Sequence, residues 1–485
     1  MTTEPARPAP DVLAELHALR EGDAPTRGGR TFAYVYDAGL AGLDELAAAA
    51  YTAYATVNGL DPTVFPSVAR LENDVVGAAA RLLGAPGAQG TFTSGGTESI
   101  LLAVKAARDH ARTVRGITAP QLVIAATAHA AFHKAAHYLG LDTVVVPVDP
   151  DTFRADAVAM AAALTDRTAL VVASAPSYAH GVIDPVGEIA AAAAARGVLC
   201  HVDACIGGWL LPHLRRAGRD VPPFDLSVPG VTSLSVDLHK YGYADKGASV
   251  VLYRDAELRR HQYFAHAGWP GYPVVNPTVQ GTKSGGLLAQ AWAVLQHVGD
   301  DGYTALAARV AEASDRLLAG LRATEGIKIL GEPAAGLVAF TVTGTTAGPP
   351  DLSLLLHLAD EMRERGWYLQ PQLSFDGLPP NLHLTLTPAA VGQVDALLGD
   401  LATALRAARA LPPVTVDPGL AELAAGLDPG ALGPEEIASV LAFAGLGSDK
   451  GLPTRMAPVL VLLDALPGPL KERLLAEFIG SVFRV

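Results

Sequence analysis

Between residues 122 and 254 the chain alternates short β-branched runs with alanine-rich stretches, and this rhythm constrains its fold more than any other feature. The runs are LVIAA (122–126), TVVVPV (143–148), ALVVAS (169–174), VLCHVDA (198–204), SLSVD (233–237) and ASVVLYR (248–254). Spacers such as AFHKAAHYLG and PVGEIAAAAAARG carry helical spacing. Continuous apolar runs separated by helices imply strands buried on both faces, hence a mostly parallel sheet. That is an α/β core, and residues 61–300 are expected to form the large domain. After about residue 300 the order becomes helix (303–324), IKILG, GLVAFTVTG, helix (351–366), LHLTLTP and a helix to 410. This reads as a smaller α+β domain over 301–410. Residues 1–60 read as an arm, rich in proline and glycine before a helical stretch. LPPVTVDPG (411–419) reads as a linker opening a helical extension over 411–485, in which 424–447 is most simply a packing element.

Composition narrows the function. A formal charge of −13 argues against nucleic acid, whose phosphates need a basic surface. No apolar stretch reaches the ~20 residues of a membrane span, and MTTEPARPAPDVL lacks the apolar centre of a secretory signal. Cys200 and Cys205 are the two cysteines. They exclude a disulfide framework and fit a reducing compartment, so a cytoplasmic protein is expected. His129, His133 and His137 are spaced by four, but no carboxylate accompanies them, and no metal site is expected.

Three segments carry chemistry. In TFTSGGTESILLAVKAAR (91–108), Ser94, Gly95, Gly96 and Thr97 precede a helix. Glycines allow close backbone approach, and a helix start offers free N–H groups to a phosphate. Alone, such a turn is more often a plain helix cap. In VLCHVDACIGG (198–208), Asp203 ends a strand, where open α/β sheets place ligand sites, although a structural carboxylate would read the same. In SLSVDLHKYGYADKG (233–247), Lys240 follows a strand among His239, Tyr241 and Tyr243. Apolar surroundings ease loss of its proton and suit a Schiff-base amine; a lone lysine would more simply be a surface residue. Together, a phosphate turn, a strand-end acid and a later lysine are what pyridoxal 5′-phosphate requires. His129, at the end of LVIAA, could stack on its ring or cap a helix.

These segments, with AHAAFHKAAHYLG, HGVIDPV and HVDACIGGWLLP, resemble the sphingosine-1-phosphate lyases of the pyridoxal-phosphate decarboxylase group, fold type I. The similarity runs in order from about Tyr36 to residue 405. It implies that Lys240 holds the cofactor, Asp203 meets the pyridine nitrogen and His129 stacks on the ring. Gly96 and Thr97 match the phosphate turn, Cys205 a small residue lining the pocket, and His239 the neighbour of the lysine. Tyr178, in SAPSYAHG, is similar to a tyrosine near the reacting carbon. Lys246 and Tyr36 match residues that meet a substrate phosphate. GTKSGG (281–286), with Thr282, resembles a loop that reaches the neighbouring subunit's cofactor, which implies a homodimer with shared sites.

One departure is chemical. Where the family has N-P-L-H-P, this chain has Asn58-Gly59-Leu60-Asp61-Pro62. An aspartate at 4 Å from a phosphate charge costs about 4 kcal/mol at an effective dielectric of ~20. The expected activity is carbon–carbon cleavage of a β-hydroxy amine that releases an aldehyde, with Tyr178, Lys240 or His239 handling protons. Amino-acid decarboxylation is the main alternative, and a non-catalytic cofactor-binding protein a lesser one. Typical non-catalytic relatives lose the lysine or the aspartate, and both are present.

Overall fold

The computed structural model describes residues 6–344, 348–417, 419, 422, 424, 426–443 and 453–483. Its main sheet has seven strands: β1 (Gln89–Thr93), β2 (Gln121–Ala125), β3 (Asp142–Val146), β4 (Thr168–Ser174), β5 (Leu199–Asp203), β6 (Ser233–Asp237) and β7 (Ser249–Tyr253). They lie in the order β1-β7-β6-β5-β4-β2-β3. Strands β2 to β6 are mutually parallel, and β7 runs antiparallel to both neighbours, β6 and β1. The sheet is therefore mixed but mostly parallel, in line with the α/β reading.

Two details differ from the sequence expectation. TVVVPV gives an edge strand, with Val145 43% exposed, so burial on both faces fails there. A strand at the edge has no neighbouring strand on one side to shield it, and apolar content alone does not reveal this. Residues 89–93 form a further strand just ahead of the Ser94 turn, in a segment whose QGTFT carries little strand pattern.

Helices cover the sheet as their periodicity dictates. In Gly96–Val114, Ile100, Ala103, Val104, Ala107 and Ala111 share a buried face, at three- and four-residue spacing. The shorter helix Ala157–Ala163 is held at its start by Asp156, whose Oδ1 accepts from Val158 N (2.8 Å) and Ala159 N (3.1 Å), a strong N-cap.

Beyond residue 260, a two-stranded ribbon, β8 (Phe264–His266) and β9 (Val274–Asn276), precedes the long helix Gly285–Arg322. That helix starts earlier than its pattern indicated and kinks at Gly299 (φ 61°, ψ 171°). The second sheet is antiparallel, with strands β10 (Ile327–Ile329), β11 (Leu337–Val342), β12 (Gln370–Gln372) and β13 (Asn381–Thr385) in the order β10-β11-β13-β12. Helices Leu352–Glu364 and Val394–Arg409 bury their apolar faces in this sheet's own core. Helices Pro434–Phe443, Ala457–Ala465 and Gly468–Val482 follow. Residues 425 and 444–447 of the tract read as a packing element lie outside the described residues. Among the described residues no helix is long and apolar enough to cross a membrane.

Candidate active site

Strand direction builds the site. Because β7 reverses between β6 and β1, β1 ends on the same edge of the sheet as the parallel strands do. In register, Ser174 pairs with Asp203 and Asp203 with Ser235. Asp237 pairs with Ser249, and Ser249 with Thr93. The carboxyl ends of β4, β5, β6 and β1 thus deliver Ser174, Asp203, Asp237 and the Ser94 turn to one place, the crevice where such sheets bind ligands.

A cavity of about 420 Å³ opens there, lined by the 94–97 turn, His129, Tyr178, Asp203, Cys205, Asp237, His239, Lys240 and Lys246. Tyr36 stands beside it, its ring 4.9 Å from the Lys246 ammonium and 5.2 Å from Tyr241. Asp61 and Thr282 lie outside this cavity within the protomer. Asp61 instead closes its own turn, its Oδ1 accepting from Thr63 N (2.9 Å) and Thr63 Oγ1 (2.6 Å). Those bonds hold its carboxyl below the usual range.

Lys240 Nζ lies 2.9 Å from Asp237 Oδ2, and this corrects one expectation. Burial alone would push the amine down, as apolar surroundings suggest. The Asp237 charge, aided by Tyr36, Cys205 and Asp203, outweighs burial and raises it. Asp237 is itself held low by Lys240 and His239 against the cost of burial. Sequence reasoning missed Asp237, though the signal was there: a carboxylate ending SLSVD, three residues before the lysine. It also missed Glu98, whose Oε2 accepts from Ser94 N and Oε1 from Val279 N, both at 2.7 Å. Glu98 thereby ties the glycine turn to the 277–283 loop.

His239 is held by a hydrogen bond at one ring nitrogen. Nδ1 accepts from Ala248 N at 3.2 Å, which puts the proton on Nε2, 3.6 Å from Asp237 Oδ2. Burial, then Lys246 and Lys240, pushes its pKa down despite Asp237. His129 lines the cavity, and its Nδ1 accepts from Ala131 N, the first residue of the helix Ala131–Leu139, at 3.1 Å. Tyr178 donates to Gln370 Oε1, and its ring packs 4.4 Å from His383. Burial raises its pKa. Cys205 Sγ donates to Ser235 Oγ at 3.3 Å, and Asp203 Oδ1 accepts from Cys205 N at 3.1 Å.

Glycine is required at the turn. Gly95 has φ 150°, and a Cβ on Gly96 would lie 2.8 Å from both Asp237 oxygens and from Cys205 Sγ. Gly96→Ala is expected to cost about 1–3 kcal/mol through overpacking and to loosen the turn. Thermal melting of the cofactor-free protein, with cofactor retained after dialysis, checks this; an unchanged melt would show that the contact yields freely.

A ring-bearing phosphate ester fits these groups. The cavity is large enough, the first N–H groups of the 96–114 helix are free of helical partners, and Asp237 Oδ1 is buried without a partner. The pyridoxal-dependent decarboxylase conserved domain matches residues 28–343, more than half the chain. The chain belongs to the pyridoxal-dependent decarboxylase family. As a member of that family it is a pyridoxal-phosphate-dependent lyase with the fold type I architecture. Sphingosine-1-phosphate lyase of Arabidopsis thaliana is 40% identical over 413 residues, covering 84% of this chain and 74% of that one. The solved sphingosine-1-phosphate lyase of Burkholderia pseudomallei has a TM-score of 0.78 at 36% identity, over 84% of this chain and 93% of that one. Lactobacillus brevis glutamate decarboxylase shares the fold, with a TM-score of 0.73 at 19% identity over 85% and 96%. A second profile, named for a helix-turn-helix at the C-terminus of pyridoxal-dependent enzymes, matches residues 418–481.

Proposed function

We propose that this family member is an aldehyde-lyase that cleaves the Cα–Cβ bond of a phosphorylated β-hydroxy amine such as sphingosine 1-phosphate. The observation that carries the reading is the convergence of Lys240, Asp203 and the 94–97 turn on one cavity that also holds Lys246. Pyridoxal phosphate, when bound, supplies the electron sink for the breaking bond. Lys240 is the amine that holds it, Gly96 and Thr97 seat its phosphate, and Asp203 faces its ring nitrogen. His129 covers the ring and Cys205 leaves room for it.

The chain's own groups divide the proton work. Burial keeps the Tyr178 phenol protonated, and its hydroxyl, which donates to Gln370 Oε1, would turn from that partner to donate to the substrate oxygen. His239, whose Nδ1 lone pair accepts the Ala248 N–H and whose Nε2 carries the proton, is not the base. Lys240, when its amine is free in the cavity, would be the group to take the hydroxyl proton. Lys246 and Tyr36 hold the substrate phosphate from the far side. Thr282 serves the cavity of a second copy in a homodimer with shared sites, Asp61 stays turned onto Thr63 and clear of the phosphate, and the enzyme works in the cytoplasm. The division into an arm (1–60), a large domain (61–300), a small domain (301–410) and an extension (411–485) is part of the same proposal.

Enclosure in the site, then the Lys240 charge, pushes the Lys246 amine down to about 8. Lys246 is therefore charged below that pH and loses its charge above it. KM for a phosphorylated substrate is expected to rise as pH passes through about 8, while an unphosphorylated amine shows no such rise. Lys246→Gln should flatten the profile; a profile unchanged by that substitution removes Lys246 from phosphate binding. For the activity itself, purified holoenzyme is offered a β-hydroxy amine phosphate and, separately, 2-amino acids. Aldehyde from the first supports the lyase; carbon dioxide from the second, without aldehyde, overturns it.

A further inference from the structure

A second cavity of about 320 Å³ adjoins the catalytic one, and His129 and Tyr178 line both. Its outer wall is the loop 372–379, where Leu373, Phe375, Leu378 and Pro379 present apolar surface. Both volumes suit small-molecule sites. One cavity carries the charged groups and the other is mostly hydrocarbon, so a ligand filling both must be amphipathic. Its amine end belongs at Lys240 and its apolar end against the loop.

That loop is held by the C-terminal extension. Ser374 N donates to Asp464 Oδ1 at 2.8 Å, and Leu373 packs on the cluster of Ile437, Leu441, Val459 and Leu463. The extension is in turn fixed to the second sheet's helix. Asp360, 2% exposed, accepts from Met456 N and Ala457 N at 2.9 Å each, which caps the helix that carries Asp464. Arg455 adds an ion pair to Glu361 at 2.7 Å. Over residues 418–485 carboxylates outnumber lysines and arginines, a balance suited to packing rather than to phosphate backbones.

We propose that the extension is part of the substrate site: through Asp464 it sets the 372–379 loop and so determines how the apolar part of the amine substrate fits. The substrate class rests on the lyase reading above; the joint itself does not. Calorimetric binding of propylamine and octylamine to the holoenzyme tests it without any turnover. Asp464→Ala is expected to raise the octylamine Kd about tenfold, the effect of one hydrogen bond to a carboxylate, and to leave propylamine unchanged. Asp464→Asn, which keeps an acceptor oxygen, should restore the wild-type value. Phe375→Ala, on an exposed side chain, should reproduce the octylamine loss without disturbing the fold. Equal effects on both amines, or none, overturn the proposal. A wild type that releases no aldehyde sinks the lyase reading instead and leaves this comparison legible.

Discussion

Lys240→Ala is expected to lower turnover by at least about a thousandfold and to destabilise the cofactor-free protein as well. The second effect follows from Asp237. Its carboxylate is 2% exposed, one oxygen has no partner, and the other faces the Lys240 ammonium at 2.9 Å. Removing one member of a buried pair leaves a buried charge uncompensated, at a cost of about 3–5 kcal/mol. The lysine's pKa is raised in the fold and the aspartate's lowered. The pair's contribution is therefore complete across neutral pH. It fades as pH rises through the lysine's raised value or falls through the aspartate's lowered one. Loss of activity alone would confound chemistry with folding. The double variant Asp237→Asn with Lys240→Met separates them, since replacing both charges is often close to neutral. It should recover the melting temperature and none of the turnover. Retention of more than about a tenth of the activity in Lys240→Ala would remove Lys240 from its assigned role.

The sheet was legible because burial and strand pattern coincide at its centre. In β4 every residue of TALVVAS is buried, so an unbroken apolar run was a faithful signal. The edges were not legible. Val145 in β3 is as apolar as Val171 in β4, and only the neighbour count, a property of topology, separates them. The antiparallel β7 reads like its parallel neighbours for the same reason. Lys240, Asp203, His129 and the glycine turn each had an ordinary reading alone and stood out only in combination, as the parts a pyridoxal-phosphate site requires. Asp237 was passed over because an aspartate closing a strand has many ordinary uses; its meaning comes from a 2.9 Å contact. Asp61 failed to join the others because its carboxylate closes a turn on Thr63, which the order of a motif along the chain does not disclose. The role of the extension lies in Asp464 and Ser374, ninety residues apart, a pairing that no local pattern announces.

Asp203→Asn should produce a loss nearly as large with the fold left almost intact. Asparagine keeps the Oδ1 that accepts the Cys205 N–H, so the β5 strand end and its pairing with Ser174 and Ser235 are preserved. What disappears is a charge. A unit pair at about 4 Å and an effective dielectric of ~20 is worth about 4 kcal/mol, or about a thousandfold in rate. The surroundings leave that charge available. His201 sits two residues earlier on the same face of β5, but burial pushes it down to about 4, so it is neutral at working pH and does not cancel Asp203. It is held between Ser233 Oγ (2.9 Å) and Ser235 Oγ (3.2 Å). Because Lys240 is untouched, the variant should keep its bound cofactor through dialysis while kcat falls. Cofactor lost in step with activity would show that Asp203 merely holds the ring. A kcat within tenfold of wild type would show that the strand-end charge does not govern the bond-breaking step.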